Sequence, residues 1–236
     1  MDINDCFHEN NVVFTFLFVP LPNLSVNMDD RQYLQTLINE GEHQQQDFKY
    51  RVSDALKLAK SVSAFANTDG GRLLIGVRDD GNMSGVRSEE EIYLMHQAAY
   101  RYCRPEASIK FDTYHIEKRT IVVATVPSSN RRPICVLSED GRRRAYIRIA
   151  DENIVASPVH LAMWRESQNP QGSIMTYTNS VRTILDVLQD EHIPLNLIVR
   201  HSHIPRHKVI TLLARLIRFQ IVQWEYVNQQ FLFSLV

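Results

Sequence analysis

Apolar and polar positions repeat along the chain with two periods, and the switches between them predict the elements. Gln45, Asp47 and Lys49 alternate with Gln46, Phe48 and Tyr50, which predicts a strand with one charged and one partly apolar face. Behind Asp54 the apolar positions Ala55, Leu56, Leu58, Ala59, Val62 and Phe65 form a helical stripe. Gly70-Gly71 closes that helix and permits positive φ, after which Leu73, Leu74, Ile75 and Val77 read as a short buried strand. Asp79-Asp80-Gly81 is a hairpin signal.

The same reading predicts a helix at about 29–39 and another from Ser88 to about Tyr102, with Ser88 as N-cap. Strands are expected near 108–116, 119–126, 134–137 and 145–149, and Ser157-Pro158 starts a helix ending near Ser167. This is an α+β pattern with a mixed sheet. Asn169-Pro170-Gln171-Gly172-Ser173 has linker composition. Beyond it come helices near 177–190, 195–201 and 205–219, then a hairpin, 221–227 and 231–235, turning at Asn228-Gln229. Three helices followed by a hairpin resemble a small winged helix-turn-helix domain. The expected organisation is a poorly ordered extension over 1–27, a first domain over 28–168, a linker over 169–174 and a second domain over 175–236.

Composition changes this picture little. The chain is 44% hydrophobic and 22% charged with net charge −1, so attraction to nucleic acid must come from local basic patches. The three cysteines, Cys6, Cys103 and Cys135, are scattered without a C-x-x-C pair, which fits a reducing cytoplasm and argues against a zinc ribbon. The apolar run Val12–Val19 is too short to span a bilayer, and Asp2, Asp5 and Glu9 stand where a secretory signal needs positive residues. No membrane partner is expected. An added edge strand is the alternative reading of that run.

Three blocks carry a family resemblance: Glu42-x4-Asp47-Phe48-Lys49, then Ser63-Ala64-Phe65-Ala66-Asn67-Thr68-Asp69-Gly70-Gly71, then Gly76-Val77-Arg78-Asp79-Asp80-Gly81. With Tyr146-Ile147-Arg148-Ile149-Ala150, they closely resemble the Schlafen AlbA-type (AlbA_2) domain over about residues 28–168. The resemblance implies a nucleic-acid binder or transcriptional regulator, and in some Schlafens a metal-dependent ribonuclease. By motif, Glu42, Asp47 and Asp79 align with carboxylates that hold Mg²⁺ or Mn²⁺, hard cations that take oxygen ligands and can activate water. Asp47 stands where that family usually has Glu. Glu42 and Asp47 are five apart, so they converge only if the chain bends at Glu42 to Gln44. The alternative is a solvated Glu42, Asp79 in an Asx turn, and Asp47 paired with Lys49. Gly71-x4-Gly76 lacks the Lys-Ser/Thr pair of a phosphate loop, having Val77-Arg78 there, so no ATPase is expected.

The cations that point to phosphate are Arg131-Arg132 and Arg142-Arg143-Arg144, with Lys49, Arg72 and Arg148 nearby in the expected fold. In the third helix of the second domain Lys208, Thr211, Arg215 and Arg218 share a polar face, with Arg206 and His207 at its N-terminal end, where a recognition helix meets DNA. Charges over 169–236 are six positive and four negative, a modest excess. The expectation is a cytoplasmic, DNA-binding transcriptional regulator that binds DNA or RNA, with symmetrical half-sites requiring a homodimer. A divalent-metal endoribonuclease is the first alternative and a protein-interaction module the second.

Overall fold

The structure is a computed structural model and describes residues 29–86, 89–138, 140–169, 175–189 and 192–236. The expected extension 1–27, the Ser88 cap and most of the expected linker lie outside the described residues.

The first half is built in layers, and strand periodicity assigns each side chain to a layer. Strands β1 (Gln46–Lys49), β2 (Gly71–Ile75), β5 (Arg119–Val126) and β4 (Lys110–Ile116) form a sheet in that order. β1 and β2 are parallel and the other pairs antiparallel, so the sheet is mixed. Leu74, Ile121 and Val123 point to one face, where α1 (Asp30–Glu40) lays down Leu34, Leu37 and Ile38. Leu73, Ile75, Val122 and Ala124 point to the other, against α2 (Ala55–Asn67).

A second, antiparallel sheet covers the far side of α2. Its order is β3 (Cys103–Arg104), β6 (Cys135–Leu137), β7 (Arg143–Ile149), β8 (Glu152–Val155). The helix is therefore sandwiched, and its polar residues Ser61, Ser63 and Asn67 are buried with its apolar stripe. They stay because each meets the second sheet. Ser63 Oγ donates to Ile134 O at 2.7 Å and accepts from Tyr146 N, while Asn153 Nδ2 donates to Ser61 Oγ. Asn67 Nδ2 donates to Ile134 O and Tyr146 O, both at 2.9 Å, and its Oδ1 accepts from Ile134 N at 2.7 Å. Asn67→Ala is expected to cost about 2 kcal/mol in urea denaturation, because buried backbone groups lose their partner. A loss under about 0.5 kcal/mol would show that these bonds contribute nothing net.

Gly70-Gly71 serves two needs at once. Gly70 takes φ +76°, and a Cβ there would meet Val126 O and Ser128 N at 2.9 Å. Gly71 is needed for space, since a Cβ would sit 2.3 Å from the Phe65 ring. After β2, Val77 and Met83 make only an isolated bridge around a tight turn, so the expected hairpin does not extend into strands. Helix α3 (Glu89–His96) continues as a π-helical turn, Gln97–Tyr102.

The remaining elements are α4 (Pro158–Ser167), α5 (Asn179–Val187), β9 (Ile193–Pro194), α6 (Leu195–Ser202), α7 (Arg206–Arg218), β10 (Val222–Val227) and β11 (Gln230–Leu235). β10 and β11 pair antiparallel through Asn228 (φ 49°) and Gln229 (φ 61°), both left-handed as a two-residue hairpin turn requires. β11 also pairs with β9, which the apolar pattern did not predict. Val159 of α4 belongs to the core formed by Ile184, Ile198, Val209, Leu213 and Phe233. Trp164 joins Ala145 and Ile147 of β7 in another cluster, against which Trp224 and Phe231 pack. Thus α4 contributes to cores on two sides.

Candidate nucleic-acid interface

The bend needed at Glu42 to Gln44 is present. His43 and Gln46 exchange backbone hydrogen bonds of 3.0 and 3.1 Å, folding the chain back just before β1. Glu42 Oε1 then accepts from Phe48 N at 2.8 Å and lies beside Asp47. Burial pushes the Glu42 carboxyl above its ordinary 4.5; the Phe48 N–H opposes this, and the Asp47 carboxylate adds to it.

Asp47 is only 5% exposed, so the charged face of β1 is covered at this position. Arg148, fully buried, explains this. Its Nη2 lies 3.5 Å from Asp47 Oδ1 and donates to Gln46 O at 3.2 Å, while Nη1 donates to Asn153 Oδ1 at 3.0 Å. The guanidinium also stands 5.1 Å from the Phe65 ring centre. Arg148 thus ties β7 to β1 and α2 and is not available to phosphate. Lys49 Nζ forms an ion pair with Asp47 Oδ2 at 2.8 Å and also donates to Phe48 O at 2.8 Å.

Asp79 does not join the pair. It is exposed in the turn after β2, and the Asx interaction there is made by its neighbour, Asp80 Oδ1 accepting from Asn82 N at 2.9 Å. Among the described residues no three His, Cys, Asp or Glu side chains come together as a metal site. A Mg²⁺ or Mn²⁺ ion shared by Glu42, Asp47 and Asp79 does not fit this arrangement. It would add positive charge beside Lys49 and Arg148, with the third carboxylate elsewhere.

The other predicted cations divide into engaged and open groups. Arg72 is partly buried, donating through Nε to Gln46 Oε1 at 2.6 Å and pairing with Glu40. Arg132 donates to Thr68 O at 2.7 Å and to Ser128 Oγ. Arg142, Arg143 and Arg144 are exposed where β7 begins; among the described residues only Arg142 is paired with an acid, Asp140 at 3.4 Å, itself exposed. Arg131 is exposed as well.

The basic face of α7 is split. Arg206, His207 and Lys208 are exposed, with Arg206 Nη1 donating to Asn196 Oδ1 at 2.6 Å. Thr211 Oγ1 donates to His207 O within its own helix. Arg215 Nε donates to Glu166 Oε1 at 3.3 Å, and Arg218 to Glu166 O. The C-terminal half of the expected recognition face is therefore turned onto α4. The sequence shows the spacing of these cations but not that a carboxylate 49 residues upstream meets them.

The family model for Schlafen, AlbA_2 matches residues 42–157. Residues 42–157 belong to the Schlafen AlbA_2 family. The matched span begins at Glu42, beside the bend, and ends at Ser157, whose side chain caps α4. The AlbA_2 domain so defined contains both four-stranded sheets and lies within the 28–168 span read from the motifs. Two solved structures are similar to parts of the chain. The DIP2311 protein of Corynebacterium diphtheriae is 18% identical with a TM-score of 0.41, covering 66% of this chain and 38% of its own. The N-terminal domain of an ATP-dependent DNA helicase RecG-related protein from Nitrosomonas europaea is 23% identical with a TM-score of 0.36, covering 49% of this chain and 86% of that one. The chain thus spans well under half the length of the first. No curated protein matches it. No helix among the described residues is long and apolar enough to cross a membrane.

Proposed function

We propose that this protein binds nucleic acid through its AlbA_2 domain and acts as a DNA-binding transcriptional regulator. The observation that carries the reading is the run Arg142-Arg143-Arg144, exposed on the hairpin between β6 and β7. Adjacent strand positions point to opposite faces, so Arg143 and Arg144 present charge on both sides of the hairpin. Asp140, the acid that meets this run among the described residues, is itself exposed and holds Arg142 weakly. Flexible cations in this setting suit phosphate contacts that do not depend on base sequence.

Helices α5, α6 and α7 followed by the β10–β11 hairpin have the element order of a winged helix. In that role the first turn of α7, with Arg206, His207 and Lys208, is open to DNA, and two copies of the chain would read symmetrical half-sites. The test is gel retardation of duplex DNA and structured RNA, with either EDTA or Mn²⁺ present. Binding that persists in EDTA is expected. Replacing Arg142, Arg143 and Arg144 together with Ala should weaken it roughly tenfold or more at low salt and reduce the salt slope by about two to three. Unchanged affinity would remove this patch. Mn²⁺-dependent cleavage of the RNA that is lost on Glu42→Ala would replace the reading with an endoribonuclease.

A further inference from the structure

We propose that the cleft beside the π-helical turn is a stacking site for an unpaired nucleobase, with the adjoining phosphate held by Arg131. This rests on the nucleic-acid reading above and extends it to single strands. The cleft is open, about 580 Å³, and bordered by Tyr100, Pro105, Glu106, Ser108, Ile109 and Arg131. A second hollow of about 300 Å³ shares Glu106, Ser108 and Arg131 and runs on along Ser128, Ser129 and Asn130. Both lie within the roughly 300–1,000 Å³ typical of small-ligand sites.

Tyr100 is the platform. It is 42% exposed, and its ring lies 5.8 Å from that of His96 with only 17° between the planes. His96 in turn packs at 4.6 Å on Phe111, which is anchored on the main core. The ring row is thus fixed from beneath, and little side-chain freedom remains to be lost on stacking. Hydrogen bonds to backbone carbonyls hold the walls: the Arg104 side chain donates through Nη1 to Tyr100 O at 2.8 Å, and Ala107 N donates to Ala99 O at 3.3 Å. A single exposed tyrosine would need no explanation. This one borders a polar cleft with a cation beside it.

The two charges in the cleft point to how a nucleotide would lie. Arg131 is exposed, and among the described residues its side chain has no partner. Glu106 repels phosphate, but a carboxylate accepts from the exocyclic amino group of a base. The base therefore enters towards Glu106 and Tyr100, and the backbone passes Arg131. Duplex bases are paired and stacked already, so only an unpaired one can use the platform.

The test uses the full chain and an oligonucleotide of roughly twelve nucleotides carrying 2-aminopurine, single-stranded or annealed to its complement. The single strand is expected to bind with quenching of the aminopurine. Tyr100→Ala should weaken single-strand binding roughly tenfold, more than duplex binding, and abolish the quench. Tyr100→Phe should restore both, because the ring and not the hydroxyl stacks. Arg131→Ala should weaken binding while leaving the quench at saturation. A Tyr100→Ala protein that binds and quenches like the parent overturns the stacking site, while binding that still falls in the Arg142–Arg144 variant keeps the wider reading. A parent protein that binds neither strand ends both.

Discussion

Arg148→Ala is expected to destabilise the AlbA_2 domain by about 3–5 kcal/mol, the range for removing one partner of a buried ion pair. The cost follows from what the guanidinium leaves behind. Asp47 remains buried and loses one of its two cations, keeping Lys49 Nζ at 2.8 Å from Oδ2. Gln46 O and Asn153 Oδ1 lose their donors, and Phe65 loses the cation over its ring. Arg148→Met, which keeps the length but not the charge, should cost nearly as much. Combining it with Asp47→Asn should cost less than the sum of the two single changes, because both remove the same Arg148–Asp47 contact. Denaturant unfolding of the four proteins measures this. A loss below about 1 kcal/mol for Arg148→Ala would mean that water replaces the guanidinium at this site.

Acid should weaken the contact between α4 and the β10–β11 hairpin through His160. This histidine is 4% exposed, and its ring meets Trp224 at 4.5 Å and Phe231 at 4.8 Å. Ser157 Oγ lies 2.7 Å from Nδ1, while Nε2 has no hydrogen-bond partner among the described residues. Burial pushes the imidazole down from 6.5 to about 4. The folded value is depressed, so the unfolded chain takes up the proton first. Stability is intact above pH 6.5 and is lost as pH falls towards 4. At about 1.4 kcal/mol per unit, the loss comes to about 3 kcal/mol by pH 4. His160→Gln keeps an acceptor for the Ser157 backbone and cannot titrate. It should remove this component from the pH dependence of unfolding measured between pH 7 and 4. Parallel pH profiles for parent and variant would rule His160 out as the source.

The two predictions concern residues on which a sequence reading is least informative, for one reason. Arg148 and His160 are polar, so pattern alone assigns them to the surface, and each is buried by groups far away in the chain. Asn67 and Ser63 were visible as motif members, but their work as donors and acceptors to Ile134 and Tyr146 exists only once the second sheet covers α2. The motif is largely a set of joints between layers.

What the sequence determined by itself was local. The stripe of α2, the apolar run of β2, the strands β4 and β5, the helices α5 to α7 and the turn at Asn228-Gln229 all follow from periodicity and turn chemistry within a few residues. The family was legible for the same reason, because its motifs are continuous stretches. Tertiary structure decided the rest. β3 and β9 have only two residues each, β8 carries no apolar alternation, and all three exist through their partners. The bend at His43–Gln46 brought Glu42 to Asp47, which parity in a straight strand forbids. Packing of α4 against α7 engaged Arg215 and Arg218 with Glu166, while Arg142, Arg143 and Arg144 stay an open cationic run. Charge is written in the sequence, but its exposure is set by what folds over it.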